Sequence, residues 1–255
     1  MLNEKATVAR HEDIGSGYRY LALSSPLVSS QARPGQFVHV KVPGLEDSAL
    51  RRPFSIFDAD EDMLTLLYKK VGRGTAALNL VKEGDTVEVL GSLGRGFPAA
   101  CSGTALLVGG GYGIAPLHFL AKRLPGRKIV FAGGRTASDI LAADRFAALG
   151  VETRFATNDG SLGERGFVTL PLDAEIERLK AAHEPFELFT CGPDGLLKAV
   201  ADRALAAGVP GWISMDRHMI CGVGACYACV QKTVRGNSRC CIEGPVFPAE
   251  ELVWE

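Results

Sequence analysis

The sequence has no long apolar run and no large excess of charge of either sign. No stretch approaches the roughly 20 apolar residues that cross a bilayer, and the opening MLNEKATVARHEDIG lacks the apolar core of a signal peptide. The 28 basic and 29 acidic residues nearly cancel, so nothing predicts a general attraction to nucleic acid or to anionic membranes. We expect a cytoplasmic protein that binds neither nucleic acid nor membrane.

Internal repeats and low-complexity segments are also missing from the sequence, but cysteine is not scarce. The seven cysteines form an odd number, and the reducing compartment expected for a chain without an export signal does not favour a disulfide framework. We therefore interpret the thiols as ligands or redox groups.

Hydrophobic patterning divides the 255 residues into three parts and predicts a multidomain fold. Residues 1–100 contain short apolar segments with the alternation of half-buried strands, as in VHVKV at 38–42, which predicts an antiparallel β-barrel. Residues 101–212 alternate buried strands such as TALLVGGG with helices such as GIAPLHFLAKRL, which is typical of a parallel α/β sheet. Residues 213–255 lose this periodicity and hold five of the seven cysteines.

The C-terminal cysteines have a spacing typical of an iron–sulfur site. Cys221, Cys226 and Cys229 stand in the order C-x4-C-x2-C, the plant-type spacing that ligates a [2Fe-2S] cluster with a fourth thiolate further along. Cys240 or Cys241 supplies that thiolate, and the spacing allows either. If the local backbone is extended, neighbouring side chains point to opposite sides, so one of the two is a ligand and the other packs as a small apolar residue.

The glycines of this segment also fit a cluster. Gly222 and Gly224 permit unusual dihedral angles and a close approach of backbone N–H groups to sulfide. Zinc is the main alternative, but structural zinc sites usually contain two short-spaced pairs, and only Cys226-x2-Cys229 has that form. A set of merely buried cysteines is less consistent, because five in so short a window exceeds ordinary usage.

The motif RRPFSI at 51–56 brings together a guanidinium, an aromatic ring and a hydroxyl on a predicted strand. The guanidinium of Arg51 or Arg52 can pair with a pyrophosphate, Phe54 can pack along a flavin, and Ser55 can hydrogen-bond the isoalloxazine edge. Taken alone, the motif is better explained by core positions for Phe54 and Ile56 beside a solvated Arg52.

A second candidate for the same cofactor is YKKVGRGT at 68–75. Tyr68 and Lys69 end a predicted strand, and Gly74 and Thr75 precede the helix-like segment AALNLV. In that position Gly74 and Thr75 would cap the helix and offer N–H donors to a phosphate.

Glycines also lie between a predicted strand and a predicted helix in LLVGGGYGIAPL at 106–117. Backbone amides at such a turn favour a dinucleotide pyrophosphate, although the spacing is not the standard G-x-G-x-x-G and a turn needed only for packing is the alternative. The candidate residues are Gly109, Gly110, Gly111 and Gly113.

Two further positions bear on the nicotinamide site. Cys191, in ELFTCGP, ends a predicted strand at the edge where open α/β sheets bind ligands, so it is a candidate beside the nicotinamide or a packed core residue. About 20 residues beyond the glycines stands Arg135, which could receive a 2′-phosphate, with Asp139 close by. Local residues thus leave NAD and NADP open.

In order and over nearly the whole chain, these motifs resemble the ferredoxin-NADP reductase superfamily, and most closely the electron-transfer subunits of class B dihydroorotate dehydrogenases. The resemblance implies an FAD-binding β-barrel at 1–100, an NAD-binding α/β domain at 101–212 and a [2Fe-2S] segment at 213–255. It rests on RPFS, YKKVGRGT, VGGGYGIAPL, TNDGSLGERGFVT, TCGP and CGVGACYAC…CIEGPVF.

The resemblance also implies which residues hold the cofactors. Its fourth cluster cysteine precedes an x-[DE]-G-P sequence, here IEGP at 242–245, which makes Cys240 the neighbour that does not bind. The implied cluster ligands are Cys221, Cys226, Cys229 and Cys241. The implied FAD contacts are Arg52, Pro53, Phe54, Ser55, Leu67, Tyr68, Lys69, Gly74 and Thr75.

By the same resemblance, electrons pass from a separate FMN-containing subunit that oxidises dihydroorotate, through the cluster to FAD and on to NAD, in pyrimidine biosynthesis. The expected assembly is a heterotetramer with two subunits of each kind. No acid–base or nucleophilic group for dihydroorotate is identified in this chain. The alternatives are a flavin/iron–sulfur subunit of an NADH-ferredoxin reductase or hydrogenase, a redox sensor, and a zinc-binding module.

Overall fold

The computed structural model describes residues 2–45 and 50–254. Its first half is a closed antiparallel barrel in the strand order β1-β2-β5-β4-β3-β6. The strands and helices of this half are β1 Leu2–Asp13, β2 Tyr18–Ser24, α1 Pro26–Ser29, β3 Phe37–Lys41, β4 Arg52–Asp60, β5 Met63–Lys69, α2 Arg73–Leu78 and β6 Thr86–Leu93.

Alternating side chains fill the barrel. Val38 and Val40 of β3 and Val87 and Val89 of β6 are almost completely buried and belong to one core, as the two-residue alternation predicts. The sequence pattern does not predict β1, in which exposed residues alternate with the three buried positions Glu4, Ala6 and Val8.

The second half is a seven-stranded sheet in the order β10-β9-β8-β7-β11-β12-β15. All neighbours in it run parallel except β12 and β15, which pair antiparallel. Its elements are β7 Thr104–Gly110, α3 Ala115–Arg123, β8 Lys128–Gly134, α4 Ala143–Ala148, β9 Glu152–Thr157, β10 Glu164–Arg165, α5 Thr169–Ala181, β11 Phe186–Cys191, α6 Asp194–Ala207, β12 Gly211–Ser214 and β15 Val246–Pro248.

The prediction of a barrel followed by a parallel α/β sheet is thus confirmed, with two local differences. The segment SDILAADRFAALG at 138–150 has the sequence pattern of one helix, but it is α-helical only in α4, because Ala142 has a left-handed conformation (φ 59°) that interrupts it. The helix α5 is not singled out by the sequence analysis above, although Leu172, Ile176 and Leu179 recur at helical spacing and are buried.

The C-terminal segment is built onto the α/β sheet. Residues after β12 form a loop, a hairpin of β13 Val230–Thr233 and β14 Gly236–Arg239, and then β15 at the edge of the large sheet. Phe247 and three cysteines of this segment share a core with strands β7 and β12. The proposed division at 212 and 213 therefore falls inside β12, and the boundaries at 100 and 212 remain predictions.

Among the described residues, no helix is both long enough and apolar enough to span a membrane.

Candidate cofactor sites

The two flavin motifs lie side by side at one end of the barrel. Strands β4 and β5 are antiparallel neighbours, so the start of β4 meets the end of β5, and α2 follows directly. Phe54, Leu67 and Tyr68 are buried, and the rings of Phe54 and Tyr68 are 5.7 Å apart. The ring of Phe54 is therefore part of the barrel core, as in the simpler interpretation of the motif, whereas Ser55 is only partly buried.

The structure separates the two arginines of RRPFSI. Arg51 forms an ion pair with Glu88 of β6 (3.0 Å) and donates to the carbonyl of the same residue. Arg52 donates to the carbonyl oxygen of Leu50 (2.6 Å), and its side chain crosses the first turn of α2 at Gly74. Arg52 is thus the arginine that lies beside the second flavin motif, while Arg51 stabilises the barrel wall.

The first turn of α2 differs in detail from the predicted cap. The N-cap is Gly72, and Gly74 and Thr75 lie within the helix. The hydroxyl of Thr75 accepts hydrogen bonds from the backbone N–H groups of Val71 (2.9 Å) and Gly72 (3.1 Å). Gly74 permits the close approach of Arg52, because a Cβ atom at this position would overlap the Arg52 side chain.

A hydrogen-bonded chain joins the flavin end of the barrel to the α/β sheet. Lys69 Nζ donates to the hydroxyl of Tyr18 (3.1 Å), which donates to the carboxylate of Asp139 (3.3 Å). Tyr112 of the glycine loop is about half exposed, and burial together with the negative charge of Asp216 raises its pKa. Tyr18 and Tyr112, which the sequence analysis above does not single out, thus mark the junction of the two halves.

The glycine loop fits tightly against the end of β11. A Cβ atom at Gly113 would lie 2.6 Å from the carbonyl oxygen of Cys191 and from Cα of Gly192. At Gly110 it would lie 3.0 Å from the side chains of Pro193 and Leu196. Gly111 has a positive φ of 54° and faces open space. Close packing therefore explains why glycine stands at positions 109, 110 and 113. Gly111 instead borders open space in which a ligand could lie.

Cys191 is the last residue of β11 and pairs with Gly109 of β7 and Ser214 of β12. Burial raises the pKa of its thiol to about 12, although a hydrogen bond with Ser214 opposes this. Cys191 is therefore a neutral thiol near the glycine loop at ordinary pH, and it also packs in the core around β7 and β11.

Four of the C-terminal thiols lie close enough to one another to affect each other's ionisation, in two pairs. Cys221 pairs with Cys226, and Cys241 pairs with Cys229 and lies near Cys221. Partial burial opposes ionisation of Cys221, but hydrogen bonds from Val223 N–H and from the Cys226 side chain lower its pKa to about 6. Burial raises the pKa of Cys241 to about 12. A [2Fe-2S] cluster held by four cysteines places two thiolates on each iron, so this donor set and its pairing fit the cluster.

Cys240 and Cys241 lie in a turn after β14 rather than on extended backbone, so the premise that they point to opposite sides of a strand is wrong. Both are buried. The groups that act on Cys240 include Arg217 and Asp216 as well as Cys229, so its surroundings differ from those of Cys241. In residues 2–45 and 50–254, no three or more His, Cys, Asp or Glu side chains converge on a position for a single metal ion.

The glycines of the cluster segment contact side chains of other elements. A Cβ atom at Gly222 would lie 2.8–3.0 Å from three atoms of the His39 ring, and one at Gly224 would lie 2.6 Å from Ile242 Cγ1. Both glycines have positive φ angles of 69° and 80°, as the loop interpretation predicts.

Comparison with known proteins identifies the family. A family model for the iron-sulfur cluster binding domain of dihydroorotate dehydrogenase B matches residues 216–253. The dihydroorotate dehydrogenase B (NAD(+)) electron transfer subunit of Bacillus caldolyticus is 42% identical over 98% of both chains, and that of Desulforamulus reducens is 39% identical over 92% of both. This chain belongs to the family of dihydroorotate dehydrogenase B electron transfer subunits. The family predicted from the sequence motifs is confirmed.

Solved structures agree with this assignment. An NADH-dependent reduced ferredoxin-NADP oxidoreductase, studied for flavin-based electron bifurcation, superimposes with a TM-score of 0.85 at 32% identity, covering 98% of this chain and 90% of that one. A ferredoxin NADP+ reductase from Neisseria gonorrhoeae with bound FAD and NADP has a TM-score of 0.64 at 19% identity, covering 86% and 95%, and indicates a shared fold. The predictions of an electron-transfer role, of an oxidoreductase subunit and of FAD, NAD and [2Fe-2S] as cofactors are supported together by these findings.

Proposed function

We propose that this chain carries electrons between a catalytic, FMN-containing dihydroorotate dehydrogenase subunit and NAD in pyrimidine biosynthesis. The observation that carries the proposal is the arrangement of Cys221, Cys226, Cys229 and Cys241 in two thiol pairs, in a segment that the family model matches. Cys241 rather than Cys240 is the proposed fourth ligand, because its thiol interacts with those of both Cys229 and Cys221, whereas that of Cys240 interacts with Cys229 but not with Cys221.

When bound, nicotinamide exchanges a hydride, the cluster exchanges single electrons, and the flavin can do both. The residues of this chain would hold these groups. Arg52, with its fixed positive charge, is the proposed partner of the FAD pyrophosphate, and Ser55 is proposed to hydrogen-bond the flavin edge. The space beside Gly111 is the proposed site of the dinucleotide phosphates.

Oxidation of dihydroorotate is proposed to take place on the partner subunit. No acid or base for dihydroorotate is identified among the described residues near these sites, so that chemistry is assigned to the partner that the names of the relatives imply. We propose a heterotetramer of two subunits of each kind, located in the cytoplasm. NAD rather than NADP is the proposed nucleotide, because the dihydroorotate dehydrogenase B relatives are named as NAD(+) enzymes.

The proposal is tested with the purified chain alone and with its catalytic partner. The chain alone should hold iron and flavin and oxidise NADH with artificial acceptors, without turning over dihydroorotate. Addition of the catalytic subunit should restore dihydroorotate-dependent reduction of NAD. Robust dihydroorotate oxidation by the chain alone would contradict the division of tasks, and a colourless protein without iron or flavin would contradict the whole proposal.

A second candidate is favoured by the likeness to the NADH-dependent reduced ferredoxin-NADP oxidoreductase, at 32% identity over 98% of this chain. A chain of that kind would work with another flavoprotein or with ferredoxin. Purification of the chain with its native partner distinguishes the two, because only a class B enzyme co-purifies with activity toward dihydroorotate.

A further inference from the structure

His39 is a buried imidazole at the boundary between the barrel and the C-terminal cysteine segment. It lies on β3 opposite Pro53 of the flavin motif, and its side chain is fully buried. Because side chains alternate along a strand, His39 and Phe37 project from the same side of β3, which is also the side of Pro53 and Ser55 on β4. This side is opposite to that of Val38 and Val40, which fill the barrel.

The ring contacts the loop that carries the first cysteines of the cluster motif. A Cβ atom at Gly222 would lie 2.8 Å from Cε1, 2.9 Å from Nε2 and 3.0 Å from Nδ1 of His39. Position 222 therefore lies over the face of the imidazole ring, and the backbone between Cys221 and Val223 packs on that face. Only glycine allows this approach at position 222, where φ is also positive.

Neither ring nitrogen of His39 has a hydrogen-bond partner among the residues that the structure describes. Buried polar atoms in folded proteins are almost always paired, and an unpaired one destabilises the fold. Burial, together with the nearby charge of Arg51, lowers the pKa of His39 to about 4. The ring is therefore neutral near pH 7 and carries one N–H donor and one acceptor nitrogen.

We propose that His39 is a positioning residue for the iron–sulfur centre: its unpaired N–H group, which lies in the ring plane beside the Gly222 loop, would donate a hydrogen bond to a sulfur atom of that centre. Hydrogen bonds to cluster sulfurs are among the features that set the reduction potential, because they stabilise the more negative, reduced state. His39 would thus set both the place of the cysteine loop on the flavin-binding barrel and the potential of the cluster. This inference rests on the proposed function, since it requires the cluster.

The test compares two variants of His39 in the full-length holoprotein. His39→Leu removes both nitrogens, and His39→Gln keeps an amide donor. His118→Leu is the matched control, because His118 is also buried but lies on α3 and packs against the barrel, with Nδ1 3.3 Å from the carbonyl oxygen of Phe57. The cluster potential should become more negative in His39→Leu, stay close to the wild-type value in His39→Gln and be unchanged in His118→Leu.

Pulsed EPR of the reduced cluster in protein labelled with ¹⁵N-histidine gives a direct readout. The wild-type and His118→Leu proteins should show a weak coupling to an imidazole nitrogen, and His39→Leu should lose it. Thermal unfolding of the metal-free proteins should find His39→Leu at least as stable as wild type, because its unpaired nitrogens are gone.

The outcomes separate the two proposals. A protein without any iron–sulfur EPR signal would contradict the proposed function. A normal cluster whose potential and nitrogen coupling are the same in His39→Leu would overturn the role of His39 and leave the function intact. A metal-free His39→Leu protein that is less stable than wild type would also overturn it, since the nitrogens would then have partners in the polypeptide. A folded His39→Leu protein that fails to retain the cluster, while His118→Leu retains it, would support the positioning role.

Discussion

The substitution Gly74→Ala tests whether Arg52 holds the flavin. The added Cβ atom would overlap the middle of the Arg52 side chain and would lie 3.0 Å from its Cδ atom, so the guanidinium has to move. The metal- and flavin-free protein should change little in stability. It loses the Arg52–Leu50 hydrogen bond, at a cost of about 1 kcal/mol, but it gains about 1 kcal/mol because alanine favours a helix over glycine.

The effect on FAD binding should be much larger. A charge-assisted hydrogen bond from a guanidinium to phosphate contributes roughly 1.5–3 kcal/mol, and its loss should weaken FAD binding about 10- to 150-fold. The dissociation constant is measured by titrating the flavin-free protein with FAD and following the flavin fluorescence. Gly195→Ala is the control, since a Cβ atom there meets nothing within 4 Å and FAD affinity should stay unchanged.

A double-mutant cycle makes the test specific. In an Arg52→Ala background there is no side chain left to displace, so Gly74→Ala should cause no further loss of FAD affinity. Full wild-type affinity in the folded Gly74→Ala protein would refute the role of Arg52. A further loss of FAD affinity in the double mutant would show that Gly74→Ala affects FAD binding by a route other than Arg52.

Three further predictions concern the other sites. Cys241→Ala should lose the iron and the visible absorption of the cluster, whereas Cys240→Ala should keep both. Cys240→Ala should instead lose roughly 1–2 kcal/mol of stability, because it leaves a small cavity. Equal iron loss in both variants would contradict the assignment of Cys241 as the fourth ligand. Gly113→Ala should lower the free energy of unfolding by about 1–3 kcal/mol and raise the KM for NADH, because the new Cβ atom would lie 2.6 Å from the backbone of Cys191 and Gly192. Thermal melts measure the change in stability, and NADH-dependent reduction of an artificial acceptor measures the KM. Burial lowers the pKa of His118 below its ordinary 6.5, and Lys122 and Arg145 add to this effect while Asp58 opposes it. The unfolded chain therefore binds a proton more readily than the folded chain, and the free energy of unfolding should fall as the pH drops below about 6.5. His118→Leu should reduce this slope in a plot of stability against pH, and an unchanged slope would show that other groups cause it.

The sequence predicts most of the fold where one residue pattern determines both burial and conformation. Alternation marks the barrel strands, and apolar runs followed by glycine mark β7 and its turn. The pattern fails for β1, where only Ala6 and Val8 are deeply buried, and at Ala142, whose left-handed conformation stops a helix that its neighbours favour. These outcomes depend on tertiary packing, which local propensity does not encode.

In the candidate sites too, the sequence predicts some residues, while others are recognised only from tertiary contacts. Motif spacing selects Cys221, Cys226 and Cys229, but the choice between adjacent cysteines needs either family knowledge or the observed thiol pairing, because the turn at 240–243 is not evident from the sequence. His39 gives no local signal at all. Its importance arises from a contact with Gly222, a residue far away along the chain.

The positions of the three sites relative to one another depend on packed contacts of the cysteine segment with both halves of the protein. On the barrel side, Arg95 N–H donates to the carbonyl oxygen of Gly244 (2.5 Å), and His39 packs on Gly222. On the sheet side, Met215 N–H donates to the carbonyl oxygen of Pro245 (2.9 Å), and β15 pairs with β12. Because a packed interior transmits displacements rather than absorbing them, a change on either side should move the cysteine loop relative to the flavin-binding face. The same contacts explain why residues 213–255, although they have their own hairpin, share a core with the α/β sheet.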